Sequence, residues 1–178
     1  LSIARESGAA PVILLTKSDL CPETPDRLAE IRTIAPDLPV HAISALHNRA
    51  ECLSTVSPYL LSGRTIALIG SSGVGKSTLL NTMVGSKLSI VSPKKQTTRQ
   101  RILGIVTQGC AQIILVDTPG IFAPRRRLDR AMVAAAWSGA ADADQVVVLV
   151  DAAQRTVDPD TRGILERLKA EQRPALLV

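Results

Sequence analysis

The chain has 178 residues, 46% of them hydrophobic, which is enough for one globular domain with a buried core. It carries 21 Lys+Arg against 16 Asp+Glu, a formal charge of +5, and no apolar run near the ~20 residues of a membrane span. Aromatics make up 2%, which excludes a base-stacking surface, and three cysteines and two histidines without metal-ligand spacing argue against a zinc site or disulfide framework.

Short apolar runs alternate with helical patterns along the chain. Strands are predicted at 11–16, 38–43, 65–70, 103–107, 111–117, 145–151 and 174–178. Helices are predicted at 1–9, 24–34, 49–61, 76–84, 126–139 and 160–172. A Gln-Gly-Cys break between 103–107 and 111–117 reads as a hairpin turn. Elsewhere the alternation predicts crossover units: an α/β domain on a mostly parallel sheet with helices on both faces. Glycines and prolines punctuate loops and mark no linker, so residues 1–178 read as a single domain. Its two halves are 1–62 and 63–178, and the helix-strand pattern of 1–15 recurs at 161–178. Any two αβ units can look alike by chance.

The charge is uneven. No acidic residue lies between Glu51 and Asp117, a stretch that holds Arg64, Lys76, Lys87, Lys94, Lys95, Arg99 and Arg101. Such an interval suits an anionic partner, a bound phosphate or nucleic acid, and equally a solvated basic surface.

Gly70-Ser-Ser-Gly-Val-Gly-Lys-Ser77 is a complete phosphate loop between a strand and a helix. The backbone N–H groups of Ser72, Gly73, Val74, Gly75, Lys76, Ser77 and Thr78 would converge on phosphate oxygens at the positive end of that helix. Lys76 would reach the β- and γ-phosphates, and the Ser77 hydroxyl would bind Mg²⁺. Asp117-Thr-Pro-Gly120 ends a strand, where Asp117 would hold Mg²⁺ and the Gly120 N–H would approach a γ-phosphate; the bland reading is a turn. Thr16-Lys-Ser-Asp19 follows a strand and fits a guanine reader. Asp19 would accept the two N–H donors of the guanine edge, and the Lys17 stem would cover the base. Adenine lacks that donor pair, so GTP and GDP are expected over ATP. Ser44-Ala45-Leu46 would complete the pocket by position. Within Gln96-Thr-Thr-Arg99, Thr98 is preferred over Thr97 as the residue that closes on the γ-phosphate and Mg²⁺. Catalysis would then rest on Lys76, Thr98 and Gly120, and the metal on Ser77, Thr98 and Asp117. Arg125, Arg126, Arg127 and Arg130 read as a solvated helix start or as contacts to ribosomal RNA phosphates.

Two resemblances follow from these motifs. Residues 1–80, with ESGAAPVILLTKSDL, AISAL and SGRTIALIGSSGVGKSTLLN, resemble the RsgA (YjeQ) family, in which the guanine reader precedes the phosphate loop. From about residue 78, SKLSIVSPKKQTTRQRILGI and VDTPGIFAPRRRLDRAMVAAAWSGAADAD resemble the Era family of GTPases. Together they imply a chimera-like P-loop GTPase domain in circularly permuted order, related to small-ribosomal-subunit assembly factors, and the cysteine usage makes a cytoplasmic, reducing setting the expectation. They also imply the small subunit and its RNA as a secondary partner, without OB, zinc or KH modules. Gly73 stands where Era-type loops have Asn, Gln96 where RsgA-type switches have His, and Ile121 where a water-orienting glutamine would sit. Slow Mg²⁺-dependent GTP hydrolysis is therefore expected. A nucleotide-binding but non-hydrolysing or inert chimera is the alternative.

The resemblances also explain the repeat. In Era-type order 174–178 would lead into a guanine reader, a place that 11–16 claims here. The sheet has one slot for both strands, and 11–16 is expected to take it because its loop must meet the nucleotide.

Overall fold

Four of the apolar runs become adjacent parallel strands, as segments buried on both faces do. The computed structural model describes residues 10–60, 63–91, 98, 100–108 and 111–171. The strands are β1 (Ala10–Thr16), β2 (Val40–Ala42), β3 (Thr65–Gly70), β4 (Ile102–Gln108), β5 (Ala111–Asp117) and β6 (Gln145–Asp151). They form one six-stranded sheet in the order β2-β1-β6-β3-β5-β4, parallel except for the antiparallel β4–β5 hairpin. The helices are α1 (Thr24–Ile34), α2 (Arg49–Val56), α3 (Lys76–Val84), α4 (Arg127–Ala141) and α5 (Pro159–Glu171).

Alternation along each strand divides the core in two. Ile13, Leu15, Ala67, Ile69, Val146 and Val148 pack beneath α1, α4 and α5 through Ile31, Ala136, Trp137, Ile164 and Leu165. Val12, Leu14, Ile66, Leu68, Val147 and Leu149 face α2 and α3 through Cys52, Val56, Leu79, Leu80 and Met83. The architecture is thus the expected α/β one, three helices on one face and two on the other.

β1 pairs with β6 from Ala10↔Gln145 to Thr16↔Asp151, so residues 11–16 occupy the slot that two segments competed for. The rival segment 174–178, and the helix expected at 1–9, lie outside the described residues. Two expectations need correction. The strand expected over 38–43 shrinks to Val40–Ala42, since it sits at the sheet edge and pairs with β1 alone. The helix expected over 49–61 ends at Val56, and Pro58 falls in a 3-10 turn over Ser57–Tyr59.

Because β1, β6, β3 and β5 run parallel, their C-terminal ends lie along one edge of the sheet. The loops after Thr16, Gly70, Asp117 and Asp151 therefore leave the sheet side by side. In open α/β sheets that edge is where ligands bind.

Candidate nucleotide-binding site

The phosphate loop begins where β3 ends. A Cβ on Gly70 (φ +151°) would come within 2.5 Å of the Leu149 carbonyl oxygen, so only glycine lets β3 turn there beside β6. Gly75 (φ +103°) turns the chain into α3, where its carbonyl accepts the first helical bond, from Leu79 N (2.9 Å). Lys76 is buried, and its Nζ donates to the carbonyls of Gly70 (3.0 Å) and Ser71 (2.9 Å). Burial pushes its pKa down to about 8, with the charge of Asp117 opposing that fall.

The three hydroxyl and carboxylate groups expected at the metal meet. Ser77 Oγ donates to Asp117 Oδ2 (2.6 Å), and Thr98 Oγ1 lies 3.1 Å from Ser77 Oγ and 3.4 Å from the same Oδ2. Asp117 is fully buried, and its other oxygen, Oδ1, has no hydrogen-bond partner. A buried, uncompensated carboxylate oxygen beside two hydroxyls is a hard-oxygen set that fits Mg²⁺. Past Asp117, Thr118 Oγ1 donates to Leu68 O (2.7 Å) and Ile121 N to Gly70 O (3.0 Å). A Cβ on Gly120 would stand 2.8 Å from Ser72 Cα, so this segment presses directly on the phosphate loop.

The residues expected to read guanine line the same edge. Lys17 sits in the left-handed region (φ +59°), and its Nζ pairs with Asp151 Oδ2 at 2.5 Å. Asp19 Oδ2 is 3.2 Å from His47 Nε2. Ser44 Oγ accepts from His47 N (3.3 Å), and the Ala45 carbonyl accepts from Thr82 Oγ1 (3.2 Å). Leu46 (79% exposed) and Thr78 line a cavity of about 470 Å³ together with Arg49, Asn81, Lys87 and Val91.

One expected contact changes character. Thr16 is buried, and its hydroxyl donates to Val74 O (2.7 Å) and lies 3.0 Å from Val150 O, so it ties strand to loop and does not face outward. The Val74 side chain is buried in the core, which leaves its backbone to the loop surface. Of the basic stretch, Arg101 pairs with Asp142 (3.0 Å), Arg64 and Lys87 are exposed, and Lys94, Lys95, Gln96, Thr97 and Arg99 lie outside the described residues. Arg125, Arg126, Arg127 and Arg130 are exposed at the start of α4. Among the described residues no three His, Cys, Asp or Glu side chains cluster as a metal site, and no helix is long and apolar enough to cross a membrane.

Four neighbours of the site escaped sequence reasoning: Asn81, Ser89, His47 and Asp151. Asp151 had a usable signal, since it ends a VVVLVD strand as Asp117 ends its own. The other three are brought in by tertiary approach.

Comparison with known proteins bears on what this edge serves. The GTPase Era of Afipia carboxidovorans is 60% identical over 113 residues, 64% of this chain and 36% of that protein. The GTPase Era of Dinoroseobacter shibae is 59% identical over the same shares. The chain thus spans about a third (36%) of the length of these curated relatives. A solved structure of Era in complex with MgGDPNP and a segment of 16S ribosomal RNA is 43% identical, with a TM-score of 0.48 over 49% of this chain and 30% of that one. The model of the family described as 50S ribosome-binding GTPase matches residues 65–178, from β3 through the phosphate loop, Asp117 and β6, and the chain belongs to that family.

Proposed function

We propose that the chain binds GTP and GDP with Mg²⁺ and hydrolyses GTP slowly, as the nucleotide-binding part of a factor acting on the small ribosomal subunit in the cytoplasm. The observation that carries this reading is the convergence of Ser77, Thr98 and Asp117, with the orphaned Asp117 Oδ1, at the sheet edge that also holds Lys17 and Asp19. The relatives named GTPase Era, and the Era structure that holds MgGDPNP and 16S ribosomal RNA, support guanine nucleotide as ligand and that RNA as partner.

Bound Mg²⁺ would neutralise charge developing on the phosphate oxygens. Lys76 would exchange its two loop carbonyls for phosphate oxygens, and the backbone N–H groups from Ser72 to Thr78 would cradle the rest. The close approach of Gly120 to Ser72 of the phosphate loop supports its N–H as a donor to a γ-phosphate. Slowness follows from Ile121, whose side chain is buried and whose N–H is bound to Gly70, so that this position offers no group to orient water. That same feature favours the second reading, a module that binds without turnover. The order of the motifs, guanine reader before phosphate loop, supports a permuted chain with an RsgA-like first part and an Era-like remainder.

Fluorescent-GDP titration with competition by GTP and ATP tests the reading. GTP should displace the probe and ATP should not; equal competition by ATP would overturn guanine specificity. Asp19→Asn should shift preference from guanine to xanthine nucleotides, because the amide can donate to the xanthine oxygen.

A further inference from the structure

Asp117 is held by a group that no motif contains. Ser89 is 1% exposed, and its Oγ donates to Asp117 Oδ2 at 2.9 Å, the same oxygen that takes the Ser77 hydroxyl. Ser89 stands five residues beyond the end of α3, in a segment without regular secondary structure. Such a segment delivers a hydroxyl into a buried site only if its backbone is fastened.

Asn81 does the fastening. From within α3 its Oδ1 accepts from Leu88 N and Ser89 N, both at 2.9 Å, and its Nδ2 donates to Ser89 O at 2.9 Å. The amide side chain thus uses donor and acceptor together on a single turn of backbone and sets both the position and the direction of Ser89. Three hydrogen bonds on one side chain favour a single geometry of the backbone they hold.

The consequence falls on the carboxylate. Ser77 and Ser89 both donate to Oδ2, which restrains the carboxylate from that side, while Oδ1 is buried and unpartnered. We propose that Asn81 and Ser89 form a clamp that positions Asp117 for the divalent cation, so that Ser89 sets the Mg²⁺ requirement of nucleotide retention without touching nucleotide. The proposal rests on the nucleotide reading above. It adds a reason for the burial of Ser89 that a mere loop anchor lacks: the Asn81 bonds alone would anchor the backbone, and a hydroxyl would be dispensable.

Groups that orient a metal-site carboxylate typically change metal affinity 10–100-fold when removed. The test is release of fluorescent GDP from wild type and Ser89→Ala, followed across a Mg²⁺ titration and in EDTA. Ser89→Ala should raise the Mg²⁺ concentration for half-maximal retention about tenfold and leave the rate in EDTA unchanged. Asn81→Ala should raise the Mg²⁺ requirement in the same direction, since its backbone bonds hold the serine. Faster release of equal size with and without Mg²⁺ would mean that Ser89 only supports the fold, and would overturn the clamp. An unchanged Mg²⁺ requirement in Ser89→Ala would do the same while leaving the nucleotide reading intact. Failure of the wild type to retain guanine nucleotide at any Mg²⁺ concentration would overturn both.

Discussion

Lys76 is a buried lysine whose ammonium group donates to two carbonyl oxygens. Its pKa falls from 10.5 to about 8 by desolvation, so the folded protein releases this proton more readily than the unfolded chain. Below pH 8 the lysine is charged in both states and the full cost of burial is present. Between pH 8 and 10.5 the unfolded chain binds more protons, so stability rises with pH through that window. The size is on the order of 3 kcal/mol at most, since each tenfold change in proton affinity corresponds to ~1.4 kcal/mol. Lys76→Met removes the buried charge. In nucleotide-free protein the variant should be the more stable at pH 7, with the gap closing by pH 10, as read from urea unfolding followed by Trp137 fluorescence. A gap constant with pH would mean that the ammonium is hydrated. Saturating GDP should flatten the wild-type trend, because phosphate keeps the lysine charged.

At the scale of elements, the site depends on how loops are fastened to strand ends. Thr16 closes β1 by hydrogen-bonding the phosphate loop at Val74 O, while its own carbonyl accepts from Ala152 N beyond β6. Three elements are thus tied at one residue. Thr16→Val keeps the shape and removes the hydroxyl, leaving the Val74 carbonyl without its donor. Unfolding stability should drop by ~1–3 kcal/mol, and GDP should bind more weakly because the loop loses its brace; calorimetry on the same preparation measures both. An unchanged GDP affinity would show that the loop is held by its glycines alone. This tie explains what was legible beforehand. The parallel strands were readable because burial on both faces makes continuous apolar runs, and α3 because its phosphate loop marks where it starts. β2 was overextended because an edge strand has one partner and less need of length. Within the site, the motif residues were readable as types at fixed spacing. Thr16 belongs to the guanine-reading motif by spacing, and spacing cannot tell a hydroxyl that faces outward from one turned into the protein. Ser89, Asn81 and His47 were not readable at all, since nothing local marks a serine that meets an aspartate 28 positions away.

For the whole molecule, the question is whether residues 10–60 and residues 63–171 are one cooperative unit. β1 and β2 occur early in the chain, yet β1 lies between β2 and β6 with seven paired positions along β6. Lys17 reaches Asp151 and Glu30 accepts from Val157 N, so contacts cross between the parts on both sides of the strand. Peeling away residues 10–60 would bare Val146, Val148 and Val150 of β6, at ~1.5–3 kcal/mol for each large apolar side chain exposed. Local opening is therefore costly compared with the total stability of a domain, which is ~5–15 kcal/mol. Two probes, one in each part, decide the matter. Trp137 is buried beneath Arg167, in α4. Cys21 and Cys52 are buried in the first part, and burial beside Glu51 holds the Cys52 thiol up to about 11, so neither is open to alkylation in the folded state at pH 8. Pulsed alkylation across a urea series, resolved by mass spectrometry at Cys21 and Cys52, should trace the same transition as Trp137 fluorescence, and GDP should move both midpoints equally. Alkylation of the two cysteines at lower urea than the tryptophan transition would show a first part that opens by itself. β1 would then be an added strand on an independently stable phosphate-binding core, and not a structural centre of the sheet.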